Sequence, residues 1–432
     1  MQHDDRGLSR RRFLASSGTA LAGASLAPQV LASPVHVGGS AELRVGLIGC
    51  GGRGTGAAVN ALRADPQARL VAMADLFADR LEGSLKSLRA ENSGVAAQVT
   101  VDAEHSFVGF DAYQGVIDSS DVVLLCGAPH FRPRHLRTAI EAGCHVFCEK
   151  PVAVDAPGLR HVMESCRMAK ERKLNLVSGL CYRYQDAKRD VIQRVHDGAI
   201  GDIVALQCTY NTGFLWHRGR DPQWSEMEFQ LRNWVYFNWL SGDHIAEQSI
   251  HSLDKILWAM KDEPPAQVTA SGGRSVRVDP KFGNVFDHFN TVFEWPSGIR
   301  LFHSCRQWQN AAADVSDFVF GTKGSAAIQS HYVTGENEWR FLGRPSDMYQ
   351  QEHDELFAAI RDGEPRNDGD YMCKSTLMSI MGRMAAYTGK TITWDQALAS
   401  EEDLTPASYA FGPVATAPVP VPGVRSSSLA SA

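Results

Sequence analysis

Residues 43–54 read Leu-Arg-Val-Gly-Leu-Ile-Gly-Cys-Gly-Gly-Arg-Gly, and this stretch decides the fold. An apolar run typical of a buried parallel strand leads directly into a glycine-rich turn and the start of a helix. In the pattern Gly49-x-Gly51-x-x-Gly54, the first glycine permits a tight turn, the second lets backbone approach a pyrophosphate, and the third permits close helix–strand packing. The sequence therefore predicts a dinucleotide-binding unit, the alternative being a glycine turn without a ligand.

An acidic residue ends the second predicted strand. Asp75 follows the apolar run 70–74 and comes 21 residues after Gly54. A carboxylate at this place accepts hydrogen bonds from both ribose hydroxyls and repels a 2′-phosphate, which favours NAD over NADP, although Arg80 nearby argues the other way. The candidate cofactor ligands in this unit are Gly49, Gly51, Gly52, Arg53, Gly54 and Asp75.

Strand-like and helix-like segments alternate from residue 43 to about residue 180. Apolar runs lie at 43–48, 70–74, 122–126, 145–148 and 174–179, and helical segments between them include 55–64, 133–142 and 157–172. This alternation predicts an α/β fold, with a doubly wound parallel sheet forming a Rossmann domain over residues 43–180.

The pattern changes after residue 180. Segments with alternating polarity lie at 202–209, 267–278, 288–295 and 299–305, and helices are expected at 353–361 and 370–387. They predict an α+β domain over residues 181–400 with a large, mostly antiparallel open sheet. Such a sheet exposes apolar surface unless it is paired, so a homo-oligomer, either a dimer or a tetramer, is expected.

Residues 401–432, rich in Pro, Ala, Val and Ser, are expected to be disordered or to form an arm on a neighbouring subunit.

The first 32 residues have the features of an export signal. Arg10, Arg11 and Arg12 precede a short stretch of small apolar residues, and Val30-Leu31-Ala32 is a plausible cleavage site. The pattern resembles twin-arginine signals, which send folded proteins across a membrane; a basic disordered tail is the alternative. We therefore expect residues 1–32 to be a signal peptide, residues 33–42 a linker, and the mature protein to be periplasmic without a membrane span.

Composition and charge exclude several function classes. The 432 residues, 44% hydrophobic and 21% charged, are enough for two globular domains. A net charge of −6 without a long basic run argues against a nucleic-acid partner. The nine cysteines include no Cys-x-x-Cys pair and are expected to be buried thiols, as suits a protein that folds in the cytoplasm before export.

Two further motifs are similar to those of a known family. Residues 144–151 read Cys-His-Val-Phe-Cys-Glu-Lys-Pro, and residues 126–130 read Cys-Gly-Ala-Pro-His. Together with the glycine turn, they resemble the oxidoreductase family of glucose–fructose oxidoreductase, inositol dehydrogenase and the rhizopine-catabolism protein, over about residues 43–400. The resemblance implies an NAD(P)-binding first domain, a mostly antiparallel second domain and chemistry on sugars, cyclitols or related polyols. The remaining candidate cofactor ligands are Pro129, His130, His135, Glu149 and Lys150.

Lys150 is the first candidate catalytic residue. It lies just past the carboxyl end of a predicted parallel strand, where ligands bind in open α/β sheets. Removing a hydride from a secondary alcohol requires a group that accepts the hydroxyl proton, and a lysine beside a positively charged nicotinamide ring suits this task. Without the motif, Lys150 would be interpreted as a surface lysine in a turn.

A second group of candidate catalytic residues lies in the second domain. His244, Glu247, His251 and Asp254 are spaced by three, four and three residues, so on a helix they would share one face. The family usually has Asp-x-x-x-His here; His251 matches the histidine, and Glu247 replaces the aspartate. We expect His251 to act as a base or relay oriented by Glu247 or Asp254, the alternatives being a structural histidine or a zinc site, and we expect no metal.

Residues 210–239 contain nine aromatic residues, four of them tryptophans. Aromatic rings stack on the C–H faces of sugars, so this stretch is either a carbohydrate-binding loop over the nicotinamide or a packing or dimer surface. Tyr182 and Arg183 lie where the chain enters the second domain and are either substrate residues or domain contacts. The candidate substrate residues are Tyr182, Arg183, Trp216, His217, Trp234 and His244.

These features favour an exported NAD-dependent oxidoreductase that acts on a secondary hydroxyl of a sugar or glycoside. Free NAD is scarce outside the cytoplasm, so the cofactor is expected to stay tightly bound and to be recycled in place. The alternative is a redox-neutral glycosidase or lyase acting through a transient 3-keto sugar, like the related exported NAD-dependent α-N-acetylgalactosaminidases, which often lack the lysine of Glu-Lys-Pro. The presence of both Lys150 and His251 argues against a third hypothesis, a non-catalytic NAD-binding or sugar-sensing protein.

Overall fold

A computed structural model describes residues 42–424 of the chain. The predicted signal peptide and nearly all of the predicted linker, residues 1–41, lie outside the described residues, as do residues 425–432.

The first sheet has six parallel strands in the order β3-β2-β1-β4-β5-β6. The strands are β1 (Leu43–Ile48), β2 (Ala68–Asp75), β3 (Ser106–Val108), β4 (Val122–Leu125), β5 (His145–Cys148) and β6 (Leu176–Ser178). The helices between them are α1 (Gly52–Ala64), α2 (Ala78–Arg89), α3 (Ala112–Asp118), α4 (Arg132–Glu141) and α5 (Ala156–Glu171). The strand order reverses between β1 and β4, which confirms the predicted doubly wound sheet and places its ligand crevice there.

The degree of burial explains why some strands of this sheet could be predicted from the sequence and others could not. All four residues of β4 are buried because helices cover both faces of the sheet, so β4 shows a continuous apolar run. The edge strand β3 has only three residues, none of them buried, and the sequence did not predict it.

The second sheet has nine strands in the order β14-β13-β12-β11-β7-β10-β9-β8-β15. The strands are β7 (Ile203–Thr212), β8 (Gln267–Gly273), β9 (His288–Glu294), β10 (Arg300–Gln307), β11 (Asp314–Gly321), β12 (Gly324–Ala327), β13 (Tyr332–Gly335), β14 (Trp339–Arg340) and β15 (Ile392–Thr393). Only β7 and β10 pair in parallel, so the prediction of a mostly antiparallel sheet is confirmed.

Eight described helices follow β6. They are α6 (Asp186–His196), α7 (Glu226–Arg232), α8 (Asn238–Ser241), α9 (His244–Glu247), α10 (Ile250–Ala259), α11 (Met348–Asp362), α12 (Gly369–Thr388) and α13 (Trp394–Leu398). Helices α10 and α12 pack on one face of the second sheet. Short 3-10 turns lie at Glu91–Ser93, Ala96–Gln98, Pro129–Phe131, Cys181–Tyr184, Trp234–Tyr236 and Pro280–Phe282. Along β10, residues 301, 303, 305 and 307 are buried while Phe302 is 52% exposed, the alternation expected of a sheet covered on one face.

Helix α11 returns to the first domain. Leu356, Phe357 and Ile360 belong to the same buried cluster as the apolar residues of β1 and α1. Beyond α11, Asn367 forms a parallel bridge with Leu176 at the edge of the first sheet. The predicted boundary near residue 180 therefore separates the two sheets, but the Rossmann domain also includes a segment from the 181–400 region.

Residues 401–424, which we call the C-terminal strap, run in extended form over the chain's own surface. The backbone amide of Leu404 donates to Asp155 Oδ2 at 3.0 Å, and the amide of Gly423 donates to the carbonyl of Thr388 at 3.1 Å. These hydrogen bonds hold residues 401–424 to their own chain, and a contact with a neighbouring subunit stays a prediction.

The cysteines agree with a fold completed without disulfides. All nine are free thiols, eight of them buried and Cys126 half-buried, which confirms the prediction of core thiols. No helix between residues 42 and 424 is both long enough and apolar enough to span a bilayer.

Three histidines are buried in the core as neutral side chains. Burial lowers the pKa of His135, His303 and His353 to about 3 each. The His303 ring nitrogens, for example, lie 2.7 Å from the hydroxyls of Ser249 and Thr291. These contacts suit an uncharged imidazole.

We expect the protein to lose stability as the pH falls below about 6.5, where histidines of the unfolded chain take up protons. The folded histidines stay neutral to much lower pH, so each one lowers the free energy of unfolding by up to about 1.4 kcal/mol per pH unit. Urea unfolding between neutral and mildly acidic pH measures this slope. His303→Gln should flatten it, whereas His105→Gln at an exposed position should not; an equal slope in both variants would contradict this account.

Candidate active site and dinucleotide cleft

The glycine turn between β1 and α1 leaves space for a dinucleotide. Gly49 has φ +97°, and a Cβ there would lie 2.4 Å from the backbone nitrogen of Gly127. A Cβ on Gly54 would lie 1.9 Å from the carbonyl oxygen of Gly49, whereas Gly51 and Gly52 have nothing within 4 Å of that position. The three glycines of the motif thus meet the predicted requirements, and the backbone at the start of α1 faces open space.

Asp75 is fixed beside this turn. Its Oδ2 accepts a hydrogen bond from the amide of Cys50 at 2.7 Å, and its Oδ1 accepts one from the amide of Phe77 at 3.0 Å. Burial raises the pKa of Asp75, although both hydrogen bonds oppose that shift. Asp75 and Arg80 line one cleft with Gly49 and Gly51, so the predicted ribose-binding acid and the neighbouring cation share the site.

Side chains from both domains line this cleft. His135 is one of them; its ring stacks on Tyr113 at 4.2 Å between centroids, and it is one of the three neutral core histidines. The apolar part of the lining includes Phe77, Phe110, Phe131, Leu231 and Trp234. A glycine turn at a helix start, a carboxylate for ribose and an aromatic wall for a base together fit a dinucleotide.

The aromatic stretch 210–239 contributes both packing and a wall of the cleft. Phe229, Tyr236 and Phe237 are buried in one apolar cluster with Phe77, the residue two positions after Asp75. Trp234 lines the cleft itself. Much of the stretch therefore packs around the dinucleotide site, a location that its composition did not reveal.

Trp216 and His217 lie on the outer side of this cluster. The Trp216 side chain is 41% exposed, with its ring 6.5 Å from that of Trp234. The His217 ring packs on Tyr236 at 5.4 Å, and its Nε2 lies 3.1 Å from the carbonyl of Lys281. His217 thus has a packing role in the described structure, and Trp216 remains available to a ligand.

Lys150 and Glu247 meet across the two domains. Lys150 Nζ lies 3.4 Å from Glu247 Oε1 and also donates a hydrogen bond to the Glu247 backbone carbonyl. Both side chains are mostly buried, and the Lys150–Pro151 peptide bond is cis. Lys150 follows β5 at the sheet edge where Gly49 follows β1, so the pair lies at the ligand-binding edge of the parallel sheet.

His251 lies close to this pair and is neutral. Its ring packs edge-on against Tyr182, with 5.1 Å between the centroids. Among residues 42–424, its buried Nδ1 has no hydrogen-bond partner. Burial, together with the charges of Lys150 and Lys255, lowers the pKa of His251 well below its usual range. The imidazole is therefore uncharged at neutral pH, and its Nδ1 can form a hydrogen bond with a bound ligand.

The structure divides the predicted helix into two. Helix α9 ends at Glu247 and α10 begins at Ile250, so the four polar residues do not share one continuous helical face. His244 is buried, with Nδ1 at 3.0 Å from Asp243 Oδ1 and Nε2 at 3.4 Å from Cys305 Sγ. Both ring nitrogens of His244 thus have partners in the core, and its predicted substrate role stays a prediction.

Asp254 and Arg183 form a buried ion pair. Arg183 Nε lies 2.9 and 3.1 Å from the two Asp254 oxygens, and its Nη2 donates to Asp262 at 2.6 Å. Asp254 also accepts a hydrogen bond from Ser375 at 2.7 Å. Burial raises the pKa of Asp254, while Arg183 opposes the shift. The pair connects α10 to the segment after β6, and the predicted catalytic role of Asp254 and substrate role of Arg183 stay predictions.

Arg53 links the glycine turn to the Glu-Lys-Pro motif. Its Nε lies 2.5 Å from Glu149 Oε1, and its Nη2 lies 2.6 Å from Glu352 Oε1. The second Glu149 oxygen accepts a hydrogen bond from the Lys150 amide at 3.1 Å. Burial opposes ionisation of Glu149, but the charges of Arg53 and Lys150 outweigh it and lower its pKa. These contacts connect the glycine turn to the Glu-Lys-Pro motif, and direct contact of Arg53 and Glu149 with the cofactor stays a prediction.

Pro129 and His130 begin the segment after β4. Pro129 is buried, and the Nε2 of His130 lies 2.8 Å from the Tyr409 hydroxyl in the C-terminal strap. Burial lowers the pKa of His130 to about 4. Tyr409 was not predicted as a site residue; the only signal would have been an aromatic residue within a Pro-rich tail.

Two models of one family match the chain. The model of the oxidoreductase family with an NAD-binding Rossmann fold matches residues 43–179, and that of the GFO/IDH/MocA C-terminal domain matches residues 189–327, together more than half of the sequence. The chain belongs to the GFO/IDH/MocA oxidoreductase family. Membership confirms the predictions of an oxidoreductase and of NAD as its cofactor. Within residues 42–424 of this GFO/IDH/MocA enzyme, no group of three or more His, Cys, Asp or Glu side chains could hold a metal ion.

Individual proteins agree with this assignment. Inositol 2-dehydrogenase of Rhizobium meliloti is 25% identical over 335 residues, which cover 74% of this chain and 89% of that protein. The 2,7-anhydro-N-acetylneuraminate hydratase of Escherichia coli is 28% identical over 194 residues, 44% of this chain and 46% of that protein. The fold matches the crystal structure of aldose-aldose oxidoreductase from Caulobacter crescentus with a TM-score of 0.64 and 21% identity, covering 82% of this chain and 99% of that one.

We expect Gly54→Ala to lower the stability of the protein and Gly51→Ala to weaken NAD binding. A Cβ at position 54 overlaps the Gly49 carbonyl oxygen, so Gly54→Ala should lower the free energy of unfolding by about 1–3 kcal/mol. Gly51→Ala meets only open space, so it should keep the melting temperature but weaken NAD binding, because its methyl group enters the cleft. Thermal unfolding and calorimetric titration with NAD separate the two effects.

Gly56→Ala, within the same helix and with only an ordinary contact at 3.7 Å, is the matched control and should behave like the parent protein in both measurements. If Gly51→Ala bound NAD with undiminished affinity, the assignment of the cofactor to this turn would be wrong.

Proposed function

We propose that this enzyme is exported to the periplasm and oxidises a secondary hydroxyl of a sugar or glycoside with a tightly held, recycled NAD. The observation that supports it most is the meeting of Lys150, Glu247 and His251 at the sheet edge that also holds the glycine turn. Bound NAD supplies the acceptor for the hydride that leaves the substrate carbon. The protein must then bind the alcohol, orient it and remove its hydroxyl proton.

The site contains two groups for the proton. Uncharged His251 has an unpartnered ring nitrogen, Nδ1, that can receive the hydroxyl proton or relay it. Lys150 can accept the hydroxyl proton once its ammonium group has passed a proton to Glu247, whose Oε1 lies 3.4 Å from Nζ. In this scheme Lys150 and His251 contact the reacting hydroxyl, and Glu247 positions Lys150.

A cyclic polyol suits the surroundings of this pair. The Tyr182 ring packs against His251 and offers an apolar surface for the C–H face of a sugar ring. The inositol dehydrogenase relative acts on a cyclitol by its name, and the same cluster of groups serves the hydroxyls of a sugar. Of the predicted substrate residues, we propose Tyr182 for direct contact with the sugar ring. Trp216 and Trp234 would lie in the outer part of the site.

Retention of the cofactor is supported by the walls of the cleft and by the sequence. Leu231 and Trp234 of the second domain line the cleft opposite the glycine turn, so a bound dinucleotide is enclosed from both domains. The twin-arginine pattern at Arg10 and Arg11 argues for export of the folded protein, to a place where free NAD is scarce.

A redox-neutral glycosidase or lyase remains the second candidate. It is favoured by the similarity to a 2,7-anhydro-N-acetylneuraminate hydratase over 194 residues. Transient oxidation at C3 of a sugar acidifies the neighbouring C2–H, so that elimination, addition of water and reduction regenerate the cofactor. Such a cycle needs no external electron acceptor, which suits a cofactor held in a closed cleft.

We expect the protein purified from its exported form to contain NAD or NADH without any addition. Near-ultraviolet absorbance during addition of sugars and nitrophenyl glycosides distinguishes the two candidates. A reduced-nicotinamide band that rises with one sugar and persists indicates the oxidoreductase. Release of nitrophenol without a lasting band indicates the redox-neutral cycle, and cofactor-free protein that is active with added micromolar NAD would contradict tight retention.

Lys150→Met should lower kcat by about 10²- to 10⁴-fold while NAD binding persists, because proton transfer from the alcohol loses its acceptor. His251→Asn should have a similar effect. Turnover of the responsive sugar and NAD titration measure both quantities. Lys170→Met on the exposed side of α5 is the matched control; full activity in Lys150→Met would refute the role of this lysine.

A further inference from the structure

We propose that the C-terminal strap is a cofactor-retaining wall, in which Tyr409 and Phe411 close the aromatic end of the dinucleotide cleft and slow release of the nucleotide. The inference rests on the retention proposed above and assigns it to a specific segment. No family model matches this part of the chain, since the second match ends at residue 327.

Tyr409 is fixed to the Rossmann domain by a hydrogen bond and by ring contacts. Its hydroxyl lies 2.8 Å from His130 Nε2. Its ring lies 5.8 Å from that of Phe131 and 6.0 Å from that of Phe110, both of which line the cleft. Tyr409 therefore packs directly behind the lining of the site.

Phe411 continues this contact toward the ribose-binding residues. Its ring lies 5.3 Å from Phe110 and 5.9 Å from Phe77, and Phe77 donates its amide to Asp75. The Phe411 side chain is 49% exposed, so one side of the ring packs on the cleft residues while the other is free. An aromatic surface at this place suits the flat base of an adenine nucleotide.

The strap is anchored on both sides of the cleft. At its start, Glu401 pairs with Arg160 at 2.9 Å and Glu402 pairs with Arg383 at 3.1 Å. After Phe411, the Gly412 carbonyl accepts a hydrogen bond from the Met227 amide at 3.0 Å. Met227 lies on α7, the helix that contributes Leu231 to the opposite wall.

These anchors give the strap a mechanical effect on the cleft. A dinucleotide bound in this cleft would contact both the Rossmann loops and Leu231 of α7, so separation of these two walls would favour its release. A segment bonded to both walls resists that separation. The expected effect is therefore on the dissociation rate, where most differences in affinity between related complexes arise.

The test uses the double variant Tyr409→Ala/Phe411→Ala in the full chain. NADH is loaded, an excess of NAD is added, and the decay of NADH fluorescence gives the dissociation rate. We expect the variant to release NADH at least about tenfold faster than the parent protein. Val421→Ala, on the same strap and 46% exposed, is the matched control and should release NADH at the parent rate.

Each outcome decides one of the two proposals. If the parent protein releases NADH quickly and the double variant faster still, tight retention fails and the strap stands as a wall of the cleft. If both release it equally slowly, retention stands and the role of the strap is overturned. Circular dichroism checks folding, and Phe411→Ala alone provides the same comparison at a half-exposed position should the double variant unfold.

Discussion

The guanidinium group of Arg53 forms two ion pairs that connect the glycine turn, the Glu-Lys-Pro motif and helix α11. Arg53 leaves the glycine turn and pairs with Glu149, the residue that precedes Lys150, and with Glu352 on α11. The glycine turn, the lysine of the Glu-Lys-Pro motif and the helix that completes the domain are thus fixed relative to one another. Because the two carboxylates are almost fully buried, loss of Arg53 would leave both without compensation.

The first domain was predictable because its signals are local. Continuous apolar strands and a glycine pattern define β1, β4 and β5 within a few residues each, and the Glu-Lys-Pro motif places Lys150 at a strand end. The spacing of His244, Glu247, His251 and Asp254 was less informative, since it does not show that the helix breaks after Glu247 or that Asp254 has a partner 71 residues away. Which polar residue faces a cleft depends on such distant partners.

The roles of the aromatic stretch and of the C-terminal strap also could not be predicted from local sequence patterns. Composition predicted that the aromatic rings of residues 210–239 form either a carbohydrate-binding loop or a packing or dimer surface, and it did not decide between them. The strap has no periodicity, because it is held by single hydrogen bonds to residues such as Asp155 and Thr388. Both segments gain their function only when the tertiary fold brings them to the cleft.

The return of α11 has a consequence for the order of folding during synthesis. The Rossmann domain begins at β1, yet Leu356, Phe357 and Ile360 of its core are translated after most of the second domain. A growing chain therefore exposes the apolar surface that α11 covers until nearly the whole polypeptide has left the ribosome. A chain that ends before α11 therefore lacks part of the core of the nucleotide-binding domain.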